Sequence, residues 1–235
     1  MSTLYVNGDS HSQHCYPAHT KLPTATEILA KRLGLEYQNQ ALGGGSNQRI
    51  IRTTTQELAN LDPKTTVIVI GWSSFERTEW YYKDRWHQIC GQASYNVDVE
   101  LQDLWNNHNS AWNANINKEQ FRRIQEQHQA IWCFHVLLTN LGYRHLFYQG
   151  CDTFFFDGCP EQDGPYQLPW APETWAHNPY VIVNEQNRWG ENFSQYVGSK
   201  GCKHADEWAH YGADAQHLWA DYLAPFLQSK INQLP

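Results

Sequence analysis

Thr65-Thr66-Val67-Ile68-Val69-Ile70-Gly71-Trp72 is the stretch on which the fold turns. Four consecutive β-branched aliphatic residues leave it no polar face, so a strand here must be covered on both sides. Strands of that kind belong to parallel sheets, whose crossovers lay helices over both faces. The glycine that follows ends the apolar run and begins a polar turn, Ser73-Ser74.

Working outward, the neighbouring segments alternate as that reading requires. Leu4-Tyr5-Val6-Asn7-Gly8 reads as a first strand. Residues 22–33 carry Ile28, Leu29 and Leu33 at helical spacing, with Thr24 or Thr26 to cap the start and Gly34 to stop the helix. A second strand is expected over 35–42, ahead of Gly43-Gly44-Gly45, and a helix over 46–61 with Ile50, Ile51, Leu58 and Leu61 toward one side. Further along, residues 118–141 predict a long helix closed by Gly142, and 144–149 a fourth strand. A short fifth strand is expected over 180–183 and a short helix over 189–197. The chain closes with a helix over 212–231, which Pro225 is expected to kink or divide because proline lacks an amide hydrogen. Two stretches break the alternation: a Trp- and Asn-rich insertion at about 80–117 and an irregular loop at about 151–179. The expectation is one α/β domain with a mostly parallel sheet of about five strands.

Composition narrows the function classes. The chain has 235 residues, 41% hydrophobic and 17% charged, with a formal charge of −7. That describes a globular, mildly acidic protein, which argues against nucleic acid as a partner. No apolar run approaches the ~20 residues that span a bilayer, so no membrane partner is expected. The first ten residues lack a basic region followed by an apolar one, so a cytoplasmic protein is expected. Cys15, Cys90, Cys133, Cys151, Cys159 and Cys202 form no Cys-x-x-Cys pair and read as buried or semi-buried thiols; a Cys151–Cys159 bridge would require an oxidising compartment. Eleven tryptophans supply either a large aromatic core or an aromatic cleft for flat ligands such as sugars.

In parallel α/β sheets, ligands bind at the carboxyl ends of the strands. The loops expected there are Gly8-Asp9-Ser10-His11-Ser12, Gly43-Gly44-Gly45-Ser46-Asn47 and Gly71-Trp72-Ser73-Ser74, joined near the end of the chain by Asp206-Glu207-Trp208-Ala209-His210. Together they hold a hydroxyl, an imidazole, a carboxylate to orient it and amide donors, which is the inventory of acyl transfer. The glycines do not complete a nucleotide-binding Gly-x-Gly-x-x-Gly, and no Gly-Lys-Ser/Thr occurs. His11, His14, Cys15 and His19 are dense but fit no usual zinc spacing, so neither metal nor other cofactor is expected. His128 and His135 read as packing or solvated residues of the long helix, and His217 as facing outward.

The ordered set resembles the SGNH (GDSL-like) hydrolases over nearly the whole chain. Gly8-Asp9-Ser10 matches the family's first block, Asn39-Gln40-Ala41-Leu42-Gly43-Gly44 its second, Gly71-Trp72-Ser73-Ser74 its third, and His210 its last, with Ala220 and Leu223 downstream. The resemblance implies a three-layer, flavodoxin-like α/β/α sandwich and hydrolysis of an ester or thioester. It implies Ser10 as nucleophile, His210 as general base, and the amides of Ser10 and Gly44 as oxyanion donors. Two departures stand out. The family's third block carries an asparagine donor where this chain has Ser73, and its usual acid, three residues before the histidine, is here Glu207, with Asp206 one place further back. Asp9, His11, Asn47 and Trp72 are expected to line the substrate site. The substrate expected is a small acyl ester, such as O-acetyl on a carbohydrate. A glycan-binding module of the same fold and an acyltransferase with the same triad are the alternatives. The Asn, Gln and Trp content also resembles that of SGNH-like proteins of tailed phages, which would place the protein on a virion or in an infected cell.

Overall fold

The computed structural model describes residues 2–13, 22–89, 101, 106–107, 116–150, 192–206 and 210–235. The described elements include β1 Thr3–Gly8, α1 Ala25–Leu33, β2 Glu36–Asn39, α2 Asn47–Glu57 followed by a 3-10 turn Leu58–Asn60, β3 Thr66–Trp72, β4 Thr78–Tyr82, β5 Arg85–Ile89, α3 Ile116–Asn140, β6 Arg144–Gln149, α4 Phe193–Ser199 and α5 Ala213–Ile231. Four strands form a sheet in the order β2-β1-β3-β6, and every neighbouring pair is parallel. The expected strand over 180–183 and the loop over 151–179 lie outside the described residues.

The apolar run in β3 does what its composition demands, since all seven residues of the strand are buried. Side chains alternate across a strand. Val67 and Val69 pack on one face with Leu4, Val6, Leu146 and Tyr148 beneath α1, α4 and α5. Ile68 and Ile70 pack on the other with Tyr5, Trp72 and Phe147, against Ile50 of α2 and Ile131, Phe134 and Leu138 of α3. Helices therefore cover both faces, and the architecture is a three-layer α/β/α sandwich of flavodoxin-like strand order.

Local signals set the helix ends. The Thr24 hydroxyl accepts the Glu27 amide at the start of α1, and Gly34 ends it at φ 64°. Ser46 caps α2 through the Arg49 amide. Asn192 and Gln195 form a reciprocal capping box at the start of α4. Pro225 does not divide α5, which runs on to Ile231. Pro225 and Asp221, whose carbonyl it leaves unbonded within the helix, both lie on the exposed side, where water can satisfy that carbonyl.

Three expectations change. The second strand is shorter than 35–42. The insertion begins with an antiparallel hairpin, β4–β5, whose turn residues Lys83 and Asp84 take φ of 47° and 59°. Two-residue hairpin turns of that kind usually advertise themselves with Asn or Gly, and Lys-Asp hides it. Cys133 is exposed rather than buried, while Cys202 is half-buried. His217 faces solvent, as expected.

Two histidines on the α3 side of the sheet carry the cost of this packing. Burial pushes His128 down to about 3. Burial, followed by the charges of His135, Lys230 and Arg144, pushes His145 down to about 4. The Tyr143 carbonyl, 3.0 Å from His145 Nδ1, can only accept, so that nitrogen carries the hydrogen. His145 Nε2 therefore accepts from His135 Nδ1 at 2.7 Å. An unfolded imidazole takes up its proton near pH 6.5. Below that pH the unfolded chain binds more protons than the folded one, so stability falls as the pH falls; above it neither histidine contributes. The melting temperature should drop steadily between about pH 7 and about pH 4.5, and His128→Asn should flatten part of the drop. A melting temperature independent of pH over that range would contradict this account.

Candidate active site

The flavodoxin-like order reverses direction between β1 and β3, and the crevice outside their carboxyl ends is the expected ligand position. β1 and β3 run in register from Thr3↔Thr66 to Gly8↔Gly71, so their two exit turns emerge side by side. The approach is close: a Cβ on Gly71 would lie 2.4 Å from Ser12 Oγ and 2.8 Å from the Tyr148 ring. Only glycine fits there.

After β1 the chain folds back at once. The Asp9 carbonyl accepts the amides of Ser12 and Gln13 at 3.1 and 3.0 Å. Asp9 Oδ1 accepts the His11 amide at 3.0 Å. Ser12 is pinned on both sides, its hydroxyl 3.0 Å from the Tyr148 hydroxyl and its carbonyl accepting from Asn39 Nδ2 at 2.9 Å. Ser10 stands half-buried on this tight turn. Burial pushes the Tyr148 hydroxyl upward, so it stays neutral and serves as a structural partner.

The loop after β2 wraps against the same turn. The Leu42 amide donates to the Gly8 carbonyl at 3.1 Å. The Gly43 amide is already given to Gln13 Oε1. Gly44, the next residue, is half-buried at φ 71°, a conformation that favours glycine. The hairpin braces this loop from outside, because the Ser46 amide donates to Gln88 Oε1 at 3.0 Å.

After β3, Ser73 is held on three sides. Its amide donates to Asn47 Oδ1 at 2.8 Å, and its carbonyl accepts from Asn47 Nδ2 at 3.0 Å. Its hydroxyl accepts from Arg77 Nη1 at 2.9 Å. The same Nη1 donates to Asp9 Oδ2 at 2.9 Å, which ties the turn after β3 to the turn after β1.

The last component lies just before α5. Asp206 uses one oxygen for the His210 amide, at 3.0 Å, and the other for His210 Nδ1, at 2.8 Å. The Ala205 amide donates to the His210 carbonyl at 2.7 Å, closing the loop that brings the two side chains together. The His210 ring stands 5.8 Å, centroid to centroid, from that of His11, the residue after Ser10. Its Nε2 makes no hydrogen bond to any described residue. A carboxylate on Nδ1 fixes the tautomer and leaves Nε2 with its lone pair.

Ser10, Gly44, Ser73, Asp206 and His210 are thus borne on loops at one end of the sheet. Glu207 lies outside the described residues, as do His14, Cys15 and His19. Of the residues expected to line the substrate site, His11 is half-buried beside His210. The other three are corrected. Trp72 is fully buried, edge-on to Phe134 and Phe147, because it shares the register of Ile68 and Ile70, which turns it into the core under α3. Asn47 and Asp9 are fully buried too, and both act inside the protein, one clamping Ser73 and the other binding Arg77 and the His11 amide. Ser73, which stands where the resembled family carries its asparagine donor, is fully buried as well, with its hydroxyl on Arg77. Arg77 escapes a reading of the sequence. Its only signal there is an arginine four residues after Ser73.

A parallel sheet in this order, with a serine on its first exit turn and an acid–imidazole pair ahead of its last helix, defines an α/β/α protein whose site is built from loops. The chain belongs to the family of unknown function DUF6071, which its residues 10–190 match. No curated protein sequence matches it. Among solved structures it is similar to TesA at 16% identity, covering 97% of this chain and 99% of that one, with a TM-score of 0.49. It is similar to a protein from Desulfitobacterium hafniense assigned as lipolytic, of the G-D-S-L family, at 11% identity, 96% and 99% coverage and a TM-score of 0.47. A protein from Bacteroides fragilis assigned as an acylhydrolase is similar at 12% identity, with 100% and 88% coverage and a TM-score of 0.46.

The geometry before the last helix makes a prediction independent of any activity. Proton NMR should show a strongly downfield, slowly exchanging Nδ1–H of His210. Asp206→Asn should abolish it and Glu207→Gln should leave it. Loss with Glu207→Gln alone would transfer the partner role to Glu207.

Proposed function

We propose that this protein is a serine esterase acting on a small acyl ester. The observation that supports it most is the Asp206–His210 pair, which holds the imidazole by backbone and side chain beside the turn that carries Ser10. In this reading His210 Nε2 takes the Ser10 hydroxyl proton as Ser10 Oγ attacks the acyl carbon. Negative charge develops on the carbonyl oxygen, and the amides of Ser10 and Gly44 receive it. His210 then returns the proton to the leaving alcohol. Water attacks the acyl-enzyme by the same route in reverse, releasing the acid and restoring Ser10. Asp206 stays ionised throughout and stabilises the imidazolium.

A carbohydrate O-acetyl group is the substrate class proposed, with the alcohol side outside the crevice. Where an acyltransferase would need an acceptor for turnover, an esterase needs only water.

Hydrolysis of p-nitrophenyl acetate tests the reading. Ser10→Ala should lower kcat by about 10⁶-fold or to background, with the melting temperature little changed. Asp206→Asn should lower it by about 10⁴-fold, because the wrong tautomer is then held. Turnover only on addition of a sugar acceptor would make the protein a transferase, and glycan binding without turnover would make it a binding module.

A further inference from the structure

We propose that His11 is a positioning residue for the candidate base, its ring holding the His210 imidazole against the one rotation that Asp206 leaves open. The inference rests on the esterase reading above for its consequence in turnover, while the ring contact itself can be read without any substrate. Asp206 ties His210 at its amide and at Nδ1. A ring held at Nδ1 alone can still pivot about the line to the carboxylate, because the outer torsion of histidine is broad and soft. That pivot swings Nε2, the atom that must meet a hydroxyl. A second contact on the ring is therefore needed to aim it.

The His11 ring supplies that contact. It stands 5.8 Å from the His210 ring at an interplanar angle of 67°, within the edge-to-face arrangement that aromatic pairs prefer. His11 is itself fixed twice. Its amide donates to Asp9 Oδ1 at 3.0 Å, and its ring packs on Phe193 at 5.4 Å. Phe193 is 1% exposed, at the capped start of α4, and lies edge-on to Trp219. The same buried ring also meets Tyr211, the residue after His210, at 5.5 Å and nearly perpendicular. Phe193 thus takes one neighbour of Ser10 and one neighbour of His210 on a single rigid surface, and His11 carries that constraint to the His210 ring. The contact uses the shape of the ring rather than its nitrogens, so another aromatic ring should serve.

Two readouts on His11→Ala and His11→Phe test this, with the melting temperature of each variant checked against wild type. In the first, the downfield Nδ1–H signal of His210 should be lost to exchange with water in His11→Ala and kept in His11→Phe. In the second, hydrolysis of p-nitrophenyl acetate, His11→Ala should lower kcat by about 10²-fold with KM within about twofold, because a misaimed base is a misplacement of the reacting groups. His11→Phe should stay within about threefold of wild type. A His210 signal unchanged in His11→Ala would overturn the positioning role, as would a His11→Phe as slow as His11→Ala. A loss confined to KM would make His11 a substrate contact and overturn it too. A wild type with no turnover on any ester would overturn the esterase reading, and the His210 signal would then decide the ring contact by itself.

Discussion

The carboxylate of Asp9 has no exposed surface, and the arrangement of the site follows from satisfying it. An unpaired buried charge costs several kcal/mol, and breaking such a pair typically costs about 3–5 kcal/mol. Asp9 meets this demand with the His11 amide on one oxygen and Arg77 on the other. The first contact curls the chain into the turn that presents Ser10. The second brings in a cation from beyond β3, and that cation in turn grips Ser73. A single charge requirement thus sets the relative position of two loops that the sheet alone would only bring near each other.

The sheet supplies the rest of the constraint. Parallel pairing of β1 and β3 in register brings Gly8 opposite Gly71, and the absence of a side chain at Gly71 leaves room for Ser12 and Tyr148 to meet between the two turns. The Tyr148 ring is edge-on to Trp219 of α5, which packs against Phe193 of α4. Phe193 in turn contacts the His11 ring. The layer of helices on that face is therefore coupled by direct packing to the turn that carries Ser10 and, through Tyr211 against Phe193, to the loop that carries His210. Among the described residues, Trp72 and Trp219 are fully buried, while Tyr81 and Trp86 of the hairpin are exposed.

What the sequence discloses follows from how local each determinant is. Val67 to Ile70 disclose a doubly covered strand because burial on two faces requires apolar residues at consecutive positions. Thr24, Gly34 and Ser46 disclose helix ends because capping is made within a few residues. Gly8-Asp9-Ser10 and His210 are legible as a set because their order along the chain matches a known pattern. Trp72 misleads, since its neighbours suggest a loop while the two-residue period of the strand sends it inward. Arg77 is hidden because its partners Asp9 and Ser73 meet it only after β1 and β3 pair. The choice of acid is equally non-local. The spacing in the resembled hydrolases would favour Glu207, but the loop closed by Ala205 and His210 lets residue 206 reach both the His210 amide and Nδ1.

The central claim is that Ser10 is an activated nucleophile, and covalent labelling tests it most directly. A fluorophosphonate incubated with the folded protein near neutral pH, followed by peptide mass mapping, should give a single adduct on Ser10. The adduct should be absent when the protein is first unfolded, because activation depends on His210 being held beside the turn. Labelling of a different residue, or no labelling of the folded protein under conditions that modify an ordinary serine esterase, would contradict the account.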